Sequence, residues 1–414
     1  MPPGSRALPV RRRARRSSRT LPDAIVESFP LRSAIAMLGI CALLATMLGL
    51  IVLSSVGIAR ADPERPYHFL GLQAATAAFS IGVMLPLVFF GVDYRKFRKR
   101  GWILLIALAT LVALCLVLVP GIGKEVNGSY RWIPVGPINV QPSELAKIAF
   151  IYVLAAWYDP LGRRELRRFS NFLVVGVWTG CVAGTLLLEP DYGAAVLICV
   201  LFATLVLVAG TPPKFVLPFV AGGVVILSLL IWFDPVHRGR IVGFLYPEHY
   251  PAESYQQLQA LASFRSGGLW GKGLWNSLQE YGHLPEAHTD SIIAIAAEEL
   301  GLVATLGVVL LFCGILFCGM RIALAATDKF GRLMAVGLTV MLVAQAGVNL
   351  GVNTMCLPNK GMALPFISYG GTSLVASWFA VAILLNIGRQ AMLEADVPDE
   401  EAPPSLYRNT LQSL

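Results

Sequence analysis

The 414 residues are 56% hydrophobic and only 14% charged, whereas a soluble globular chain carries about a quarter of its residues charged. Many apolar runs reach about 20 residues, the length that crosses a bilayer as a helix, so a soluble enzyme is excluded and an all-α polytopic membrane protein is expected. The formal charge of +8 matters through its placement between the apolar runs, and no nucleic-acid partner is read from it.

The chain opens with a basic tail, residues 1–33, holding Arg11, Arg12, Arg13, Arg15 and Arg16, expected to be cytoplasmic and to lie near anionic lipid. The apolar run that follows is too long for a signal-peptide core and has no clear cleavage site, so it reads as a retained first helix. Ten transmembrane helices are predicted, at 34–58, 67–92, 101–119, 141–158, 170–188, 192–209, 215–233, 290–320, 331–353 and 366–388. Together, residues 34–390 form one ten-helix membrane domain, and residues 391–414 a cytoplasmic C-terminal tail. With the N-terminus inside, 23 of the 33 lysines and arginines fall on the cytoplasmic side. The runs DYRKFRKR and GRRELRR are the densest clusters after the tail, and this asymmetry is the positive-inside signature that sets orientation.

On the outer side lie the connections 120–140, 189–191, 234–289 and 354–365. The third, a large extracytoplasmic loop between spans seven and eight, runs to 56 residues. Loops far beyond about 12–15 residues are functional or disordered, and the aromatic residues from Phe244 to Tyr281 argue for order. Trp270 and Trp275 suit the headgroup level.

The ionisable groups at or inside the spans are the informative ones, because each costs roughly 2.5–3.5 kcal/mol near a helix centre. Pro142 suits the first turn of the fourth span, which places Glu144 and Lys147 on one face. Two readings are open: an ion pair whose lysine snorkels outward, or Lys147 and the loop residue Arg131 together offering positive charge to a phosphate. Glu189 and Asp191, in the turn LEPDYG, either bind substrate or cap two helices. The segment FRSGGLWGKG carries Arg265 and Lys272 on glycine-rich backbone, which permits close approach to a ligand or tight packing.

Asp290 stands at the mouth of the eighth span. There it is either a structural acid favoured by the helix dipole, with Thr289 as N-cap, or a base whose pKa is raised under the roofing loop. His288 is a rival base. Glu298 and Glu299 lie about 12 Å deeper on the same helix and read as hydrogen-bond partners between helices. Seven cysteines include no CxxC pair, six of them in apolar runs and Cys356 in a loop, so neither a disulfide framework nor a metal site is expected. No Walker loop, HExxH or spaced Cys/His set is present.

Five separated motifs, GSYRWI with QPSELAK, EPDYG, YQQLQALASFRSGGLWGKGL, LPEAHTDSIIAIAAEELG and LPNKGMALPFISYGGTS, resemble the SEDS family of bacterial cell-wall polymerases, to which FtsW and RodA belong. The resemblance covers roughly residues 34–390. Lys360 in LPNKG looks more like the division-type than the rod-type members. Two departures stand out: Ser291 where the family usually has an aromatic residue, and Glu189 where it commonly has Gln.

The resemblance implies a glycosyltransferase that polymerises lipid II into glycan strands at the outer face of the cytoplasmic membrane during division. It maps the essential acid onto Asp290, and supporting polar positions onto Arg131, Glu144, Lys147 and Lys360. Asp191, Arg265, Lys272 and His288 complete the candidate substrate-binding set. The implied partners are lipid II, the growing glycan strand, a class B penicillin-binding transpeptidase, other divisome proteins and membrane lipids. No cofactor is demanded, though a divalent cation, Mg or Mn, at the diphosphate is compatible. A lipid II flippase, a non-catalytic divisome scaffold and a rod-type polymerase are the competing readings.

Overall fold

A computed structural model describes residues 29–60, 67–126, 129–136, 138–277 and 284–395. Most of both expected tails, including the arginines of residues 1–28 and the segment 396–414, lie outside the described residues. The helices in chain order are α1 (Leu31–Arg60), α2 (His68–Phe79), α3 (Arg100–Val117), α4 (Pro142–Tyr158), the short α5 (Arg163–Leu166), α6 (Phe169–Leu188), α7 (Tyr192–Ala209), α8 (Pro213–Phe233), α9 (Pro235–Leu245), α10 (Pro251–Gly267), α11 (Ile292–Ala325), α12 (Lys329–Asn353) and α13 (Gly371–Ala395). Among the described residues, nine helices are long and apolar enough to cross a membrane. The tenth expected span, α4, has 17 residues; it is buried along almost its whole length by α3, α7, α12 and α13.

Local chemistry sets the ends. Pro142 opens α4 and Pro213 opens α8, where a missing N–H costs nothing. Asp191 caps α7 by accepting from Ala194 N at 3.1 Å, and Gly210 ends it in the left-handed region at φ 99°. The second span is not one continuous α-helix. After α2 it passes through π-helical turns at Ser80–Met84 and Leu87–Gly91, on either side of Pro86, which cannot donate to the ladder. Asn386 of α13 compensates at its C-terminal end, donating to the carbonyls of Val88, Phe89 and Val92.

The connection 120–140 forms a three-stranded antiparallel sheet of β1 (Lys124–Val126), β2 (Ser129–Val135) and β3 (Ile138–Val140). It is the one β-sheet among the described residues, and it carries Arg131. The long connection between α8 and α11 contains α9 and α10. Helix α11 is the spine of the core, packed on α1, α12 and α10.

Gly301, at φ 78°, breaks α11, and the glycine-rich segment after α10 repairs the break. The N–H groups of Leu302 and Val303 would reach back to residues 298 and 299 in an unbroken helix. Here they donate to Gly268 O and Leu269 O, while Glu298 O and Glu299 O accept from Lys272 N and Gly273 N. A Cβ on Gly271 would fall 2.1 Å from Glu299 O, so glycine is required for backbone to meet backbone. Of the two readings left open for GGLWGKG, these contacts are the tight-packing one.

Side chains bolt the same junction. Glu298 accepts from Lys272 Nζ (2.7 Å), Ser277 Oγ (2.6 Å) and Ser266 Oγ (3.0 Å). Glu299 accepts from Trp275 N at 2.8 Å and from Ser55 Oγ of α1. Both glutamates therefore bind polar partners across elements, as their depth in α11 led one to expect. The result is a loop fastened onto α11 at its break.

Candidate active site

Asp290 lies in the turn before α11, whose first residue is Ile292 and whose N-cap is Ser291. This corrects the expected start at residue 290 and the expected Thr289 cap. Ser291 makes no capping bond; its hydroxyl instead accepts from Gln256 of α10 at 3.1 Å. The backbone of Asp290 is held from below: its carbonyl accepts from Asn349 Nδ2 (2.8 Å) and Asn353 Nδ2 (2.9 Å), one turn apart on α12. Flanking carbonyls are fixed by the loop before α13, Thr289 O by Ser368 Oγ and His288 O by Tyr369 N. Asn349 also reaches Met362 O at 2.7 Å, so one amide locks two loops together. A Cβ on Gly361 would fall 2.6 Å from Asp290 Oδ2, which means the carboxylate rests directly against that glycine.

Burial pushes the Asp290 carboxyl up to about 7, with Glu286 adding to it and Arg131, Arg240 and then Asp191 also acting on it, the two arginines downward. Desolvation therefore beats the nearby cations. Arg131 comes from β2, and its guanidinium is anchored on the carbonyls of Glu189 and Pro190. Arg240 comes from α9, where burial and the charge of Arg131 disfavour its proton while Asp290 and Asp234 favour it. Both guanidinium groups therefore act electrostatically on Asp290 and on one another, and among the described residues neither forms an ion pair within 4 Å. Lys360 is nearby in the same electrostatic field: burial lowers its pKa and Asp191 opposes.

The other candidates sort by distance from this group. Lys147 is buried and does not snorkel: its ammonium donates to Glu144 Oε1 at 2.7 Å and Gln345 Oε1 at 2.8 Å. Gln345 in turn binds Ala363 O at 3.0 Å, so Glu144 and Lys147 form a layer beneath the loop that carries Lys360. Asp191 caps α7 and acts electrostatically on Asp290. His288 packs between Phe69 and Tyr369, with ring centroids at 5.2 and 5.7 Å. Lys272 is engaged with Glu298, and Arg265 is exposed in the last turn of α10; neither joins Asp290.

Arg240 is the residue that sequence reading passed over. It sits in a polar loop where basic residues are unremarkable, and only the fold of α9 over the site gives it meaning. Among the described residues, no three His, Cys, Asp or Glu side chains converge as metal ligands.

Chemically, the group offers a carboxylate with a pKa near neutrality, fixed by its backbone, next to two guanidinium groups suited to bidentate phosphate contacts. Comparison with known proteins gives a consistent picture. A family model described as cell cycle protein, FTSW_RODA_SPOVE, matches residues 35–393. A protein of Geobacter metallireducens named "Probable peptidoglycan glycosyltransferase FtsW" is 38% identical over 322 residues, 78% of this chain and 85% of the relative. One of the same name from Legionella pneumophila is 37% identical over 353 residues, 84% and 88% of the two chains. Among solved structures, a chain from "Structural coordination of polymerization and crosslinking by a peptidoglycan synthase complex" aligns with TM-score 0.71 at 28% identity, covering 86% of this chain and 97% of that one. The rod shape determining protein RodA of Thermus thermophilus aligns with TM-score 0.62 at 28% identity, covering 85% and 96%.

Proposed function

Because the chain belongs to the FtsW, RodA and SpoVE family of cell cycle proteins and is a peptidoglycan glycosyltransferase, we propose that it polymerises lipid II with Asp290 as general base. In the step envisaged, the acceptor 4-hydroxyl gives its proton to the Asp290 carboxylate as its oxygen bonds to the donor sugar C1. The bond from C1 to the diphosphate oxygen breaks, and undecaprenyl diphosphate leaves with the electron pair. A glycosidase needs a second carboxyl to protonate a poor leaving group; a diphosphate needs only its charge stabilised.

Arg131 and Arg240 are the groups proposed to do so, with Lys360 supporting them. Glu144 already neutralises Lys147 in the free enzyme, so its role here is to brace the site through Gln345. Lys272 and Arg265 are assigned to the roof and its surface. General base catalysis is worth about 10²–10⁴-fold, and each well-placed charge donor about 10²–10³-fold. The single observation that carries this reading is the buried Asp290 carboxylate, resting on Gly361 with its backbone pinned by Asn349 and Asn353, in the field of Arg131 and Arg240.

The proposed setting is the cytoplasmic membrane at the division septum, with both termini cytoplasmic. A class B penicillin-binding transpeptidase, by analogy with the peptidoglycan synthase complex whose chain aligns with this one, would crosslink the strands. The test is glycan synthesis from purified lipid II in detergent by the purified chain with its cognate transpeptidase. A polymerase makes glycan there, whereas a flippase or a scaffold makes none.

A further inference from the structure

Glu189 is fully buried, and neither oxygen of its carboxyl has a hydrogen-bond partner among the described residues. A buried, unpaired carboxylate is among the costliest groups a protein can hold. Its surroundings make ionisation harder still. Glu189 is the C-cap of α6, its N–H bonded to Thr185 O at 3.1 Å, so it faces the negative end of that helix dipole. Asp191, two residues on, accepts from Ala194 N as the α7 cap, and its field opposes a negative charge on Glu189. Among the described residues, the cation acting on Glu189 is Arg131, yet Arg131 binds the carbonyls of residues 189 and 190 rather than the carboxyl.

Resting on the polymerase reading above, we infer that Glu189 is a positioning residue, held as a neutral carboxylic acid so that Arg131 remains available to the substrate diphosphate. Arg131 already touches the backbone of the same residue. An ionised Glu189 would therefore find the guanidinium within reach and claim it as a bidentate pair. The same kind of loss has already befallen Lys147, whose ammonium is spent on Glu144 at 2.7 Å. The diphosphate would then face Arg240 alone, with Lys360 drawn towards Asp191.

Burial, reinforced by Asp191 and opposed by Arg131, raises the Glu189 carboxyl to about 8. The group is thus neutral at pH 7 and ionised above pH 8, a window distinct from that of Asp290.

Glutamine keeps the shape and neutrality of the protonated acid and cannot ionise. Initial rates of glycan synthesis from lipid II, measured across pH 6 to 9.5, should rise through about 7 in the wild type and fall about tenfold from the maximum by pH 9. Glu189→Gln should keep the pH 7 rate within about twofold and lose the alkaline fall. An unchanged alkaline fall in Glu189→Gln, or a folded variant inactive at every pH, overturns the inference.

A second readout is independent of turnover. Infrared titration of wild-type protein carrying 13C at its glutamate carboxyls should show a protonated carboxyl band at pH 7 that is lost by pH 9. Its absence at pH 7 overturns the inference even if Glu189→Gln does not fold. If neither protein makes glycan at any pH, the polymerase reading is what fails, and the infrared result still decides the state of Glu189.

Discussion

Gly361 presses on the Asp290 carboxylate without being forced into glycine-only backbone: it is exposed and lies outside the left-handed region. Gly361→Ala should therefore fold, with a stability change within about 1 kcal/mol. The new Cβ would lie 2.6 Å from Oδ2, where ordinary contact begins at 3.4 Å. The carboxylate must move by roughly 0.8 Å, because its backbone carbonyl is pinned by Asn349 and Asn353. Misplacing a reacting group by about 1 Å costs on the order of 10²-fold in rate, equivalent to about 2.7 kcal/mol of barrier. The assay is initial-rate glycan synthesis with thermal unfolding of the same preparation. We expect kcat to fall by about 10- to 100-fold, KM to change little and Tm to stay near wild type. A variant with wild-type kcat would refute the placement of the base, and one whose Tm collapses would refute the packing argument.

Other expectations follow from the same geometry. Asp290 acts when deprotonated, so activity should rise with pH through about 7. Arg131 and Arg240 both lower that carboxyl, so Arg131→Gln or Arg240→Gln should move the rising limb to higher pH, besides costing about 10²–10³-fold in rate; an unmoved limb would place them away from the base. Glu298→Ala leaves Lys272, Ser266 and Ser277 without their shared acceptor and should cost about 2–4 kcal/mol. It should also open residues 268–277 to proteolysis, and a variant as protease-resistant as wild type would contradict the fastening role. Lys147→Met, which strands the buried Glu144 carboxylate, should destabilise by about 3–5 kcal/mol in thermal unfolding without altering the pH of the rising limb.

The bundle was legible because a 20-residue apolar run is a local property, read directly from composition. The sequence also pointed to an acid at the start of the eighth span. Less could be read where meaning depends on a distant partner. The glycines of GGLWGKG were ambiguous until the break at Gly301 supplied backbone groups for them to pair with. Lys147 seemed free to snorkel because its burial depends on Gln345, nearly two hundred residues away in sequence. Arg240 carried no local signal at all, since an arginine in a polar loop is ordinary until a fold brings it over a carboxylate. The span boundary at residue 290 was misjudged because Asp and Thr are good caps in general, whereas here their backbone is held by α12 and the loop before α13.

The central claim is that one carboxylate accepts the proton of the attacking hydroxyl. It is tested most directly by comparing wild type with Asp290→Asn, each purified with its transpeptidase, for glycan formed from lipid II and for lipid II bound. The amide keeps the size of the side chain but cannot take a proton. The account predicts binding within a few-fold of wild type and glycan reduced by at least about 10²-fold. Equal amounts of glycan from the two proteins would contradict it.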